Sequence, residues 1–322
     1  MNYFIMGGSG FIGTHLVNLL SDIKSDSPIY NLDIVENNHD GKSTYVYCDV
    51  RKPIEKLPLT PTENDIIFNF AAVHRTPGHP DQAYFETNVR GAEYVTAFAE
   101  KWGIKKIVFT SSIAPYGAAE DLKTEDTLPT PNTPYGISKL VAEKIHMIWQ
   151  AKNEEERQLT IVRPGVVFGK GENGNFTRLY WGIRKREFFY PGRKDTIKAC
   201  IYVKELVRFM MFRLEHHQEG IELYNCTFEP AFTIEQICET MKRTTGMQRS
   251  ILKIPSWILM SMAAVAVAFG SPMGICPARV RKLMISTNIC GKKLSTSGYK
   301  FHYTFEEAIA DWYKDNENQY LK

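Results

Sequence analysis

Gly7, Gly10 and Gly13 stand three apart in GGSGFIG, between a run that reads as a strand and one that reads as a helix. In that setting one glycine permits a tight turn, the next lets backbone approach a pyrophosphate, and the third lets helix pack on strand. The helix opening at Phe11 and Ile12 then offers N–H groups and a positive dipole end to the phosphates. Asp33 ends the second strand-like run about 20 residues past the last glycine, where a carboxylate bonds a ribose 2′-hydroxyl; a solvated strand-end acid is the plain alternative. The following IVENNHDG has two more acids and no arginine, which favours NAD over NADP. A second constellation is PYGISK, where Tyr135 and Lys139 lie four apart. The run that follows, LVAEKIHMIWQ, has helical spacing and good helix formers, so both side chains fall on one face, a turn apart. Another Tyr-x-x-x-Lys, Tyr190 to Lys194, contains Pro191 and Gly192 and cannot be a helical turn. Spacing alone leaves open whether Tyr135 and Lys139 are a reactive pair or a surface tyrosine beside an unrelated lysine.

The elements that must position these residues alternate along the first half of the chain. NYFIMG, PIYNLDI, TYVYCDV, DIIFNFAA, KKIVFTSS and LTIVRPGVVFG read as six strands. GTHLVNLLSDI, AYFETNVRGAEYVTAFAEKWG and the Tyr135 helix read as intervening helices. Such alternation predicts an α/β fold with a doubly wound parallel sheet. The pattern loosens after Gly169. Residues 1–169 are therefore expected to form the dinucleotide-binding domain. Residues 170–322 are expected to be mainly a smaller substrate-binding region, with segments near 196–235 returning to the first.

The 322 residues are 43% hydrophobic and 23% charged, as in an ordinary globular protein. A net charge of +3 gives no electrostatic case for nucleic acid. The six cysteines have no metal-ligand spacing and read as free thiols of a reducing compartment, so no metal and a cytoplasmic location are expected. Trp257 to Phe269 is apolar apart from Ser261 but well short of the roughly 20 residues a spanning helix needs. A buried helix, a subunit contact or shallow membrane contact fits it instead.

With these residues in view, the chain resembles the NAD-dependent epimerase/dehydratase family of extended short-chain dehydrogenases/reductases. The likeness runs in order through GGSGFIG, Asp33, CDV, NFAAVH, ETNVRGAEYV, FTSSIAPYG, TPYGISKLVAEK, RPGVVFG and CIYVKEL. It implies that Asp49 and Val50 contact adenine, that Ala71 and Ala72 lie beneath the cofactor, and that Pro164 borders it. It further implies Tyr135 as acid/base, Lys139 as its partner and Ser112 as the substrate hydrogen-bonder. The chemistry suits those types. A free tyrosine has a pKa near 10, and an ammonium plus the nicotinamide charge favour phenolate. Ser112 can steady charge on the reacting oxygen.

Departures narrow the reaction. The family's sugar 4,6-dehydratases carry Asp-Glu where this chain has Ile113 and Ala114, which argues against dehydration. Where epimerases often have an arginine on the substrate diphosphate, this chain has Lys198. Asn175 sits where the family contacts substrate, and Arg279 or Arg281 could add a late phosphate contact. The resemblance thus implies a nucleotide-sugar epimerase or 4-keto reductase, acting as a homodimer. A hydroxysteroid-type dehydrogenase at a membrane surface is the alternative, because IPSWILMSMAAVAVAF resembles that group's apolar helix. A catalytically silent NAD-binding protein is a third reading.

Overall fold

Tyr3–Met6 (β1) is apolar throughout and wholly buried, and it forms an inner strand of a parallel sheet in the computed structural model, which describes residues 1–55, 57–74, 78–218, 220–261 and 284–322. Helix α1 (Phe11–Ile23) follows it, then β2 (Ile29–Asp33), β3 (Thr44–Tyr47), β4 (Ile66–Asn69), α2 (Asp81–Tyr84), α3 (Arg90–Trp102) and β5 (Lys106–Thr110). Beyond β6 (Ala119–Lys123) come α4 (Pro134–Ala151), β7 (Gln158–Pro164) and β8 (Val166–Phe168). Next are α5 (Asn175–Arg184), β9 (Tyr190–Pro191), β10 (Ile197–Lys198), β11 (Cys200–Tyr202), α6 (Val203–Glu215) and β12 (Ile221–Cys226). The chain continues through β13 (Phe232–Thr233), α7 (Ile234–Thr244), β14 (Lys253–Ile254), β15 (Thr287–Ile289) and a helix at Phe305–Asp315.

The central sheet runs β12-β7-β5-β4-β1-β2-β3, with every neighbouring pair parallel. This is the expected doubly wound sheet. Strand order reverses between β1 and β4, the switch point where such sheets bind ligands beyond their carboxyl ends. Helices α3 and α4 pack together on one face, and α1 and α6 on the other. A separate apolar core joins α5, α7 and the Phe305–Asp315 helix around Phe168, Phe176 and Trp312.

Two predicted elements divide. The helix read through ETNVRG contains a π turn at Phe85–Val89 between α2 and α3. The sixth strand breaks at Gly165, where a Cβ would lie 2.6 Å from the Ala199 carbonyl oxygen. Glycine there lets the Cys200–Tyr202 segment approach, and β8 pairs with β11 instead of prolonging β7. The decoy Tyr190 lies in a short buried strand, as its proline and glycine require. Among the described residues no helix is long and apolar enough to cross a membrane. Residues 262–269 of the apolar segment lie outside the described residues.

Candidate active site

Helix α4 begins where its sequence allows. Thr133 is the N-cap, its hydroxyl accepting from the Gly136 N–H at 3.1 Å, and Pro134 takes the first helical position. Gly136 lies so close to the segment after β5 that a Cβ would meet the Ala114 carbonyl oxygen at 2.6 Å. That approach brings Tyr135 to Ser112. The Ser112 hydroxyl lies close enough to the phenol to favour its charged form, and the Tyr84 ring stands 6.1 Å from the Tyr135 ring. Burial raises the Tyr135 pKa, and the neighbouring Ser112 hydroxyl pulls it partly back. Ser112 is itself held by the Ala114 N–H, which donates to its Oγ at 3.1 Å.

Lys139 lies one turn along α4 and is only 2% exposed. Its Nζ donates to the Thr110 carbonyl at 2.6 Å and sits 4.3 Å from the Phe109 ring centroid. Desolvation brings its pKa down to about 7, against the pull of Glu143 in the other direction. Burial is the largest influence on both groups, raising the phenol and lowering the ammonium.

The glycine turn has the shape a dinucleotide needs. Gly7 has φ +78°, and a Cβ there would meet the Ala71 backbone at 2.8 Å. A Cβ on Gly13 would meet the Gly8 carbonyl oxygen at 2.5 Å, so α1 packs directly on the turn. Gly10 is the N-cap and supplies no side-chain cap, and the first turn from Phe11 and Ile12 contains no acid. The N-terminal N–H groups thus face no competing carboxylate of their own turn, which fits a pyrophosphate. Asp33 Oδ2 accepts from the Ser9 N–H and Oδ1 from the Val35 N–H, both at 3.0 Å, so its carboxylate stands against the turn. Asp49 is clasped by Arg51 through two hydrogen bonds of 2.8 Å, which hold it below the ordinary carboxylate range. Val50 is buried against Gly91. Ala71 and Ala72 follow β4, next to Gly7 at the switch point. Pro164 ends β7, and its carbonyl receives the Ile113 N–H at 3.2 Å, beside Ser112.

The candidate substrate residues are more scattered. Asn175 is exposed at the start of α5. Lys198 donates to the Ile285 carbonyl at 2.6 Å across the β10–β15 edge. Arg279 and Arg281 lie outside the described residues.

Several positioning groups escape a sequence reading. Asn88 takes the Val73 N–H at 2.9 Å, donates to the Val73 carbonyl at 3.1 Å, and donates to Ser138 Oγ at 2.8 Å. Glu143 and Arg163 form a buried ion pair behind Lys139. The one available signal was spacing: Tyr135, Lys139 and Glu143 recur every four residues along α4.

The profile of the NAD dependent epimerase/dehydratase family matches residues 3–227. The N-acetyl-alpha-D-glucosaminyl-diphospho-ditrans,octacis-undecaprenol 4-epimerase of Escherichia coli O157:H7 is 30% identical over 312 residues, covering 96% of this chain and 93% of that protein. A UDP-glucose 4-epimerase of Halalkalibacterium halodurans is 31% identical over 275 residues, covering 76% of this chain and 81% of its own length. Among solved structures, a UDP-glucuronic acid 4-epimerase from Bacillus cereus in complex with NAD superposes with a TM-score of 0.75 at 19% identity, over 99% of this chain and 97% of that one.

Proposed function

The chain belongs to the NAD-dependent epimerase/dehydratase family, and from that premise we propose that it is an NAD-dependent 4-epimerase of a sugar carried on a diphosphate. The observation that carries the reading is the meeting of Ser112 and Tyr135 at the carboxyl edge of the sheet, beside a glycine turn shaped for a dinucleotide. NAD, when bound, would supply the hydride acceptor and donor for the sugar C4. Gly7, Gly10, Phe11, Ile12 and Gly13 would hold its pyrophosphate, Asp33 its adenosine ribose, and Asp49 and Val50 its adenine. Ala71, Ala72 and Pro164 would border its path to Tyr135 and Lys139.

Tyr135 as phenolate removes the proton from the 4-hydroxyl while the C4–H bond breaks, leaving a 4-ketone. Ser112 donates to that oxygen and steadies its charge. The ketone turns over and C4 is reduced on its other face. Tyr135 then gives the proton back, so the cycle is redox-neutral. Ile113 and Ala114 supply no acid or base for the neighbouring carbons, which disfavours dehydration. Asn175, Lys198 and Arg279 are proposed for the diphosphate or sugar.

Two carriers fit a diphosphate site: a nucleoside, as in the UDP-sugar relatives, and a polyprenol, as in the undecaprenol relative. The apolar run from Trp257 to Phe269 favours the second. We place the enzyme in the cytoplasm, as a homodimer, with residues 170–322 mainly serving the substrate.

The test incubates the protein and NAD with UDP-glucose, UDP-N-acetylglucosamine, UDP-glucuronic acid and undecaprenyl-diphospho-N-acetylglucosamine. NMR reads C4 stereochemistry and absorbance reads NADH. Inversion without net NADH supports the epimerase. Consumption of one NADH per product would replace it with a reductase. Oxidation of a sterol with no turnover of any sugar diphosphate would discard it.

A further inference from the structure

Beneath the proposed acid/base site lies a group that the mechanism does not use. The Glu143 side chain is 0% exposed and Arg163, from β7, only 4%. Arg163 grips it as a fork: Nε donates to Oε1 at 2.8 Å and Nη2 to Oε2 at 2.6 Å. A fork of this kind fixes the plane and direction of the carboxylate. Oε1 then accepts from the Ser111 hydroxyl at 2.5 Å. One residue earlier, the Thr110 carbonyl accepts from Lys139. Two consecutive residues at the end of β5 are thus tied to two consecutive turns of α4, and the next residue in the chain is Ser112.

A buried charge pair costs desolvation, and such pairs often add little to stability compared with apolar packing. This one could be replaced by leucine and methionine if stability were its only purpose. Its direction suggests another. The strand proper ends at Thr110, and the Ser111 and Ile113 N–H groups still donate to the Val162 and Pro164 carbonyls at 2.8 and 3.2 Å, so β7 holds the backbone around Ser112. Tyr135, in contrast, is carried by α4, and that backbone pairing does not fix how α4 sits against the strand end. The geometry points to Ser111 and Glu143, with Arg163 as the brace, as positioning residues that clamp the end of β5 to α4 and thereby hold the Ser112 hydroxyl on Tyr135. The inference rests on Tyr135 as the acid/base.

The readout is the ionisation of Tyr135 in the NAD-loaded protein. The ultraviolet tyrosinate signal is followed against pH, with a Tyr135→Phe titration subtracted. Ser112 and Tyr84 face the phenol; Lys139 stands a turn below it and faces Glu143 and Phe109. His146, stacked on the other side of Phe109, is held down to about 4 by burial and stays neutral.

Ser111→Ala changes no charge. It should raise the Tyr135 midpoint by about one pH unit, as expected from losing one hydrogen bond to the charged form. Ser112→Ala should raise it as much, and the double variant should go no higher than Ser112→Ala alone. Glu143→Leu with Arg163→Met removes the clamp without leaving a lone buried charge and should raise the midpoint likewise. With an active substrate, kcat at neutral pH should fall about tenfold in step with the midpoint, while KM stays nearly constant. A midpoint unmoved by Ser111→Ala and by the paired replacement, with only the melting temperature falling, would overturn the clamp and leave the catalytic reading standing. A wild-type midpoint no lower than that of an ordinary phenol would overturn both.

Discussion

Asn88, inside the π turn, donates to the Ser138 hydroxyl at 2.8 Å, and Ser138 donates in turn to the Tyr135 carbonyl at 2.9 Å. Through its two bonds to Val73, the same side chain holds the loop after β4. One buried amide therefore registers the loop after β4 against the helix that carries Tyr135.

Asn88→Ala should lower stability by about 2–4 kcal/mol, since three hydrogen bonds vanish and their partners stay largely buried. Turnover should fall with it. Denaturant unfolding and NAD titration check this together. Unchanged NAD affinity would detach Val73 and its neighbours from the cofactor.

NAD should bind at least about tenfold tighter than NADP, and Asp33→Ala should weaken NAD by about tenfold to a hundredfold, the cost of losing a charged hydrogen-bond partner. Because Asp33 also receives the Ser9 N–H, some of that loss is a slackened glycine turn. Calorimetric titration of both cofactors decides it, and equal affinities in the wild type would refute the assignment.

Tyr135→Phe should cut turnover by about a hundredfold to ten-thousandfold, the usual worth of a positioned acid/base, while leaving NAD affinity intact. Lys139→Ala should damage both turnover and NAD binding. Tyr190→Phe should retain proton transfer, because Tyr190 is packed in the second core. Steady-state rates for the three variants are the measurement. The opposite ranking of the two tyrosines would move the site.

Lys139 gives a stability signature without any substrate. Its pKa falls from 10.5 to about 7 on folding. Between those values the unfolded chain binds more protons than the folded one, so stability rises with pH there, by up to about 1.4 kcal/mol per unit. Below pH 7 the ammonium is carried in both states and its full burial cost remains. Lys139→Met should abolish this slope in the NAD-free protein. Parallel stability curves for the two proteins between pH 7 and 10 would contradict it.

The glycine turn, Asp33 and the Tyr135 helix were legible because each combines a local pattern with a flanking element that only one fold supplies. Alternating strands and helices likewise dictated the parallel sheet. The π turn at Phe85–Val89 was not legible, because its residues are ordinary helix formers and only the docking of Asn88 reveals the extra residue in the turn. The Glu143–Arg163 pair was hidden for a related reason. A glutamate and an arginine 20 positions apart in sequence, on a helix and a strand, carry no local sign that both will be buried. The direction of the Tyr135 shift also depends on desolvation, a property of the finished pocket.

The seventh strand of the central sheet has a consequence for synthesis. Strand β7 ends at residue 164, yet β12, its outer neighbour, is complete only at residue 226. As the ribosome emits the chain, β7 must wait for 62 further residues (226 − 164) before its free side is paired. At roughly 5–20 residues per second that is about 3–12 s. During this interval an apolar strand, with Leu159, Ile161 and Val162 destined for the core, presents an open edge to other nascent chains. A pause placed between codons 165 and 221 would lengthen the exposure, so aggregation in the cell should rise when translation is slowed in that stretch.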